Sequence, residues 1–308
     1  MNESKQNLQT WATALAQDPD YKVLQRYHKV ERYSSLPDDD TELRLGAVVD
    51  VETTGLDAKK DQVIELAVVQ FEFSRDGRVF RVLNEFDQLQ DPGEALTPLV
   101  QQLTGLTDDD VKDQAIDHDQ LRKLIEPVGI VIAHNANFDR QFLESFDDIF
   151  VEKAWGCSMS DIDWMEAGIE SPKLDYLAYQ FGFFYDRHRA LTDALATLHL
   201  LAQPFPQIED KEKTTEDHSG SVLKQLLDCA RQSNYRVWAI DAPFERKDEL
   251  KARGYRWSSG ADGRPKAWFI DTADRQSEVT YLQNKIFGRD VAIKSDEITA
   301  FNRYSSRA

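Results

Sequence analysis

Cysteine is scarce in this chain: Cys157 and Cys229 are the only two among 308 residues. Two cysteines make no disulfide framework, and their spacing suits neither a zinc site nor a redox pair. That usage fits a reducing compartment, so the expected location is the cytoplasm. Long apolar runs are missing too. No stretch of about 18 apolar residues occurs, so no membrane span is expected, and no membrane partner. The amino terminus, Met1-Asn2-Glu3-Ser4-Lys5-Gln6, carries no apolar signal region. There is no internal repeat.

Positive charge is also short, with 37 Lys+Arg against 55 Asp+Glu and a net of −18. Taken whole, that balance argues against a polyanionic partner. The deficit is uneven, however. From residue 221 onward stand 16 of the basic and 12 of the acidic residues, a net of +4 against −22 for the first 220. Such asymmetry indicates two modules with different jobs. The 41% of hydrophobic residues is ample for a substantial core.

The order of patterns supports four segments. Residues 1–44 read as two short helices broken at Asp18-Pro19-Asp20, with Trp11, Leu15, Leu24 and Tyr27 as docking residues. From 45 to 202, three strands (46–51, 62–73 and 78–86) precede helices near 98–103 and 118–126. A fourth strand at 129–133 and helices at 138–146, 173–181 and 191–201 follow. That order predicts a mixed α/β sheet. Residues 203–220, with Pro204, Pro206 and the run Glu209-Asp210-Lys211-Glu212-Lys213, read as a linker. Beyond it, 221–308 predicts a small α+β domain: a helix at 221–232, then a β-α-β-β-α-β order compatible with a ferredoxin-like sandwich.

The chemistry gathers around Val48-Val49-Asp50-Val51-Glu52-Thr53-Thr54-Gly55-Leu56. Side chains alternate along a strand, so Asp50 and Glu52 face the same way and repel unless a cation sits between them. The fourth strand runs into His134-Asn135-Ala136-Asn137-Phe138-Asp139, with Asp139 in the first turn of the next helix. Later, His188 precedes Asp193 by five residues. On one continuous helix they would lie about 140° apart, so they converge only if His188 sits on the approach loop.

Taken together, Asp50-x-Glu52, Asp139 and His188-x4-Asp193 resemble the sequence blocks of the DEDDh 3′–5′ exonucleases, the family of the proofreading epsilon subunit of bacterial DNA polymerase III. Leu103-Thr104-Gly105-Leu106-Thr107 and Lys173-Leu174-Asp175-Tyr176-Leu177 resemble further family segments, so the likeness spans about 45–202. It implies a ribonuclease H-like mixed sheet with flanking helices. It also implies two divalent metal ions, Mg²⁺ or Mn²⁺, held by Asp50, Glu52, Asp139 and Asp193, with His188 as general base. Such a pair, about 3.5–4 Å apart, clamps the attacking and leaving oxygens of a phosphodiester. By the same likeness Thr53 lies near the terminal 3′ hydroxyl, Leu56 against the base, and Thr104 and Phe138 beside the pocket. Tyr185, eight residues before Asp193, is the only nearby competitor for the base.

Plainer readings apply elsewhere. Phe138 is equally well a core residue, and Asn135 a fixer of the strand-to-helix turn. Glu65 is expected to be structural or exposed, and Asp108-Asp109-Asp110 to be a helix start, where acids suit the dipole. His28, His118, His199 and His218 have no ligand-spaced partners. In the tail, Arg246-Lys247, Lys251–Trp257 and Arg264–Trp268 interleave basic and aromatic residues, as a nucleic-acid surface does. Against that, Trp238, Trp257 and Trp268 are expected to be mainly core. The expectation is a 3′–5′ exonuclease releasing nucleoside 5′-monophosphates from single-stranded DNA, with RNA left open and a DNA polymerase or another replication or repair protein as partner. The alternatives are an exoribonuclease on short RNA and a catalytically inactive binding module.

Overall fold

The computed structural model describes residues 3–206, 220–260 and 263–307. Most of the 203–220 linker therefore lies outside the described residues, as does His218. The chain forms two compact units, Met1–Leu227 and Asp228–Ala308. No helix among the described residues is long and apolar enough to cross a membrane.

The first unit begins with helix α1 (Glu3–Ala16) and the short strand β1 (Gln25–Arg26), then a meander of β2 (Leu43–Thr53), β3 (Val63–Ser74) and β4 (Val79–Leu89). Helices α2 (Pro98–Thr104), α3 (Asp108–Val111) and α4 (His118–Ile125) follow. Strand β5 (Ile130–Ala133), helix α5 (Ala136–Phe146), strand β6 (Trp155–Cys157), helix α6 (Leu174–Gln180), strand β7 (Phe183–Phe184) and helix α7 (Ala190–Leu201) complete the layer. Helix α8 (Val222–Arg231) contains the boundary between the units.

The main sheet runs β4-β3-β2-β5-β6, with β2, β3 and β4 antiparallel and β5 and β6 parallel to β2. This is the ribonuclease H-like mixed sheet. Strand β3 is buried along almost all of its length, the mark of a strand covered on both faces. Helix α7 packs on β2 and β3, so its first turn lands beside the end of β2. The Asp108-Asp109-Asp110 run does start a helix: Asp110 closes a capping box with Thr107, and Asp108 Oδ1 accepts the Leu96 amide at 2.7 Å.

Several local expectations fail for physical reasons. The second helix expected before residue 44 does not form. Gln25 and Tyr27 donate their amides to Gly182 and Phe184, and β1 pairs in parallel with β7. Tertiary pairing overrides a weak helical preference there. Tyr27 does dock, 5.0 Å from the His199 ring, but Trp11 and Leu15 are exposed on a largely polar helix. Strand β6 has three residues with glycine in the middle, too short to show a period.

In the second unit come β8 (Asn234–Ala239), α9 (Lys247–Ala252), β9 (Arg256–Trp257), β10 (Trp268–Thr272), α10 (Arg275–Tyr281) and β11 (Ser295–Ile298). The sheet order is β11-β8-β10-β9 and every neighbouring pair is antiparallel. Numbered within the unit this is 4-1-3-2, the ferredoxin-like arrangement. The long helix expected over 273–287 is α10 continued by a wider π-helical stretch, Leu282–Phe287. Val237, Ala239, Leu250, Tyr255, Leu282 and Ile286 form its core. Trp238 is buried on the other sheet face against Phe269, but Trp257 is 51% exposed because β9 is a two-residue edge strand.

Candidate active site

Strand β2 delivers Asp50 and Glu52 to one face at its carboxyl end. Asp50 lies opposite Ala67 and Glu52 opposite Glu65, and the register shifts after Glu52. That bulge turns the chain into a tight loop. Thr53 Oγ1 donates to the Gly55 carbonyl at 2.6 Å, and Thr54 pairs with Gln62 in both directions. Gly55 leaves room for the Asp61 carboxylate, which a Cβ would meet at 2.5 Å and displace. The loop leaves Leu56 86% exposed at its tip.

Asp193 comes from the first turn of α7. One carboxylate oxygen each from Asp50, Glu52 and Asp193 lie within 4.8 Å of one another. At that separation each ionised pair costs on the order of 3–4 kcal/mol at an effective dielectric near 20. Burial, then the charges of Asp139, Asp193 and Glu52, hold the Asp50 carboxyl well above its ordinary range. Burial and Asp193 push Glu52 up to about 8. Asp193 is also raised by burial, against the hydrogen bonds it accepts.

Asp139 stands outside that group of three, in the first turn of α5, and is buried. Burial lifts it to about 7, opposed by its own and the Val51 amide and reinforced by Asp193. Four acids from three elements thus face one another at the end of β2. Among the described residues the only group of His, Cys, Asp and Glu spaced for a metal ion lies here. Hard carboxylate oxygens clustered in this way suit Mg²⁺ or Mn²⁺.

His188 occupies the approach loop, as its spacing to Asp193 requires, and is exposed. Its φ of +67° is a left-handed conformation that few side chains other than Asn, Asp and His adopt. The His188 and Arg189 amides, at 2.7 and 3.2 Å, both donate to Asp193 Oδ2. One carboxylate therefore fixes the loop that carries the imidazole.

The sequence profile of the exonuclease family RNase_T matches residues 47–201, half of the chain. The chain belongs to this exonuclease family. It is 35% identical over 164 residues to a DNA polymerase III PolC-type of Halalkalibacterium halodurans and 33% identical over 201 residues to that of Bacillus subtilis. Those alignments take in 50% and 62% of this chain but only 11% and 13% of the relatives, so the chain spans about a tenth of their length. Among solved structures, exonuclease X bound to 5′-overhanging duplex DNA matches with a TM-score of 0.40 and 20% identity, over 60% of this chain and 90% of that one.

Thr104, Phe138 and Asn135 are held by local contacts. Thr104 is buried, and its hydroxyl both donates to Val100 and accepts from Leu106, closing the end of α2. Phe138 is half-buried with its ring 4.8 Å from Phe142. Asn135 does not fix the turn through its side chain, which makes no capping bond. Its carbonyl does so instead, accepting the Phe138 and Asp139 amides.

Two arrangements were not read from the sequence. Tyr185, the nearby competitor for the base position, is tied to Asp193. Its hydroxyl donates to Asp193 Oδ1 at 3.0 Å, and burial raises its pKa. Glu65 is fully buried opposite Glu52 and binds the Arg189 guanidinium, 2.8 Å from Nη2, together with the Ala190 amide. Like charges facing each other across two strands demand such a counter-ion. That demand was the one available signal.

Proposed function

We propose that the chain hydrolyses single-stranded DNA from its 3′ end and releases nucleoside 5′-monophosphates. Asp50, Glu52, Asp139 and Asp193 hold two divalent cations, and His188 is the general base. The observation that carries this reading is the convergence of Asp50, Glu52 and Asp193 within 4.8 Å, beside buried Asp139. Carboxylates held so far from their ordinary acidity are neutralised together by multiply charged cations.

When bound, the ions supply charge stabilisation to the phosphodiester and to its departing 3′ oxygen. The chain's own groups do the rest. His188 takes a proton from the attacking water, a task suited to an imidazole near neutral pH. The water oxygen bonds to phosphorus, the bond from phosphorus to the 3′ oxygen breaks, and a proton goes to that oxygen. Asp193 holds the His188 loop, and Tyr185 holds Asp193. Exposed Leu56 meets the terminal base, Thr53 lines its sugar, and Thr104 and Phe138 support the pocket wall.

The PolC-type relatives are DNA polymerases by name, and we infer a DNA polymerase or another replication or repair protein as partner. In this reading 45–202 is the exonuclease domain, 1–44 its extension and 221–308 an accessory module. The test follows end-labelled single-stranded DNA and RNA with Mg²⁺, Mn²⁺ or chelator, for the wild type and Asp139→Ala. Mononucleotides should accumulate from the 3′ end of DNA only with metal and intact Asp139. Activity that survives both chelation and the substitution overturns the mechanism. Faster turnover of RNA would replace the substrate.

A further inference from the structure

Cations of the second unit differ in what holds them. Arg236 and Arg256 share Asp271, Arg246 binds Glu249, and Arg253 binds Glu278. Those guanidiniums are committed to carboxylates. Lys247 and Lys251 have no carboxylate partner among the described residues, and each ammonium lies over a ring instead. Lys247 Nζ is 4.2 Å from the Phe244 centroid, and Lys251 Nζ is 5.8 Å from that of Trp268.

These contacts join into one line. Lys247 and Lys251 stand four residues apart on α9 and so share a face. Trp268 meets Trp257 edge to face at 5.5 Å. The line therefore runs Phe244, Lys247, Lys251, Trp268, Trp257. Its two ends are open: Phe244 is 74% exposed and Trp257 51%. Solvent-facing rings with uncommitted ammoniums between them are costly decoration for a surface with no ligand.

We propose that this line binds single-stranded nucleic acid, with bases stacking on Phe244 and Trp257 and phosphates meeting Lys247 and Lys251. Base stacking on aromatic side chains tolerates any sequence, and phosphate contacts supply affinity. Charge places the grip in the carboxyl-terminal part of the chain. The first 220 residues carry a net of −22 and repel a polyanion, whereas residues from 221 onward carry +4. A protein partner fits less well, because lysine is depleted from the cores of protein interfaces. The inference draws on the exonuclease reading only for its choice of ligand.

The test uses the full chain with chelator, a fluorescein-labelled oligothymidylate and anisotropy over a range of salt. Hydrolysis of the p-nitrophenyl ester of thymidine 5′-monophosphate with Mn²⁺ is followed in parallel. Trp257→Ala should bind roughly tenfold more weakly. Lys247→Gln combined with Lys251→Gln should make the dependence of log K on log salt shallower by about 1.4. Both variants should keep wild-type ester hydrolysis. Unchanged affinity and slope overturn the proposal and leave the line to a protein partner. A wild type that does not bind the oligonucleotide, or an equal loss of ester hydrolysis in the variants, overturns it too. A wild type that binds through this line but hydrolyses no ester refutes the exonuclease reading and leaves this inference standing.

Discussion

Tyr185 donates its hydroxyl hydrogen to Asp193 Oδ1 at 3.0 Å, while Oδ2 of the same carboxylate holds the His188 amide at 2.7 Å. Asp193 is thus held on one side by a phenol and on the other by the loop that presents the imidazole. Its orientation depends on both.

Tyr185→Phe removes one donor and keeps the ring. A single hydrogen bond of this kind contributes about 1 kcal/mol. We expect kcat to fall about fivefold and half-saturating Mn²⁺ to rise, with the melting temperature nearly unchanged. Metal titration of nuclease activity measures both effects. Wild-type metal dependence in the variant would remove Tyr185 from the site.

His188→Ala should be far more damaging to rate than to fold. General-base catalysis contributes typically 10²–10⁴-fold. The loss should appear in kcat, with thermal stability and metal binding retained, since the Asp193 contact uses the His188 backbone. Steady-state kinetics beside calorimetric Mn²⁺ titration separates these. A change under tenfold in kcat would exclude His188 as the base.

Arg189→Ala takes the counter-ion from the buried Glu65 carboxylate, which keeps the Ala190 amide. Breaking a fully buried pair costs about 3–5 kcal/mol, and the half-exposed Arg189 lowers this to about 2–3. Urea denaturation should show the loss. Glu65→Gln, which keeps an acceptor for Ala190, should cost less. Equal stability of the wild type and Arg189→Ala would mean that the pair contributes nothing.

Stability should also fall with rising pH when metal is withheld. Asp139 and Glu52 are lifted to about 7 and about 8, above the ordinary value near 4. A carboxyl raised in the folded state stabilises the fold fully below its unfolded pKa and loses that contribution as pH rises through the folded value. In chelator the melting temperature should be lower at pH 8.5 than at pH 5.5, and millimolar Mg²⁺ or Mn²⁺ should restore it most at the high end. Asp139→Asn should flatten the decline and cut hydrolysis at least about a hundredfold. A level profile in chelator would contradict the clustering of these acids.

Much of the sheet was legible because its strands are long and bounded by clear turns. β2, β3 and β4 differ from their expected bounds by one to three residues at each end. Short elements were not legible. β1, β6 and β7 have two or three residues each, less than any period, and β1 exists only because Gly182 and Phe184 offer it backbone partners from far along the chain. Trp257 misled for a related reason: its place on an edge strand depends on a sheet order that one sequence does not display.

For the site, the sequence by itself determined the donor types and their order: Asp50 and Glu52 on one strand face, Asp139 in a first helical turn, and His188 on a loop ahead of Asp193. The shared strand face follows from periodicity, which acts locally, and the donor set from the resemblance of the sequence blocks. Only the tertiary structure decided that Asp193 reaches Asp50 and Glu52, that the Tyr185 hydroxyl binds it, and that Arg189 neutralises Glu65. Each of these joins elements remote in sequence. They exist because α7 packs across β2 and β3, and packing of that kind is set by the whole core and not by any one segment.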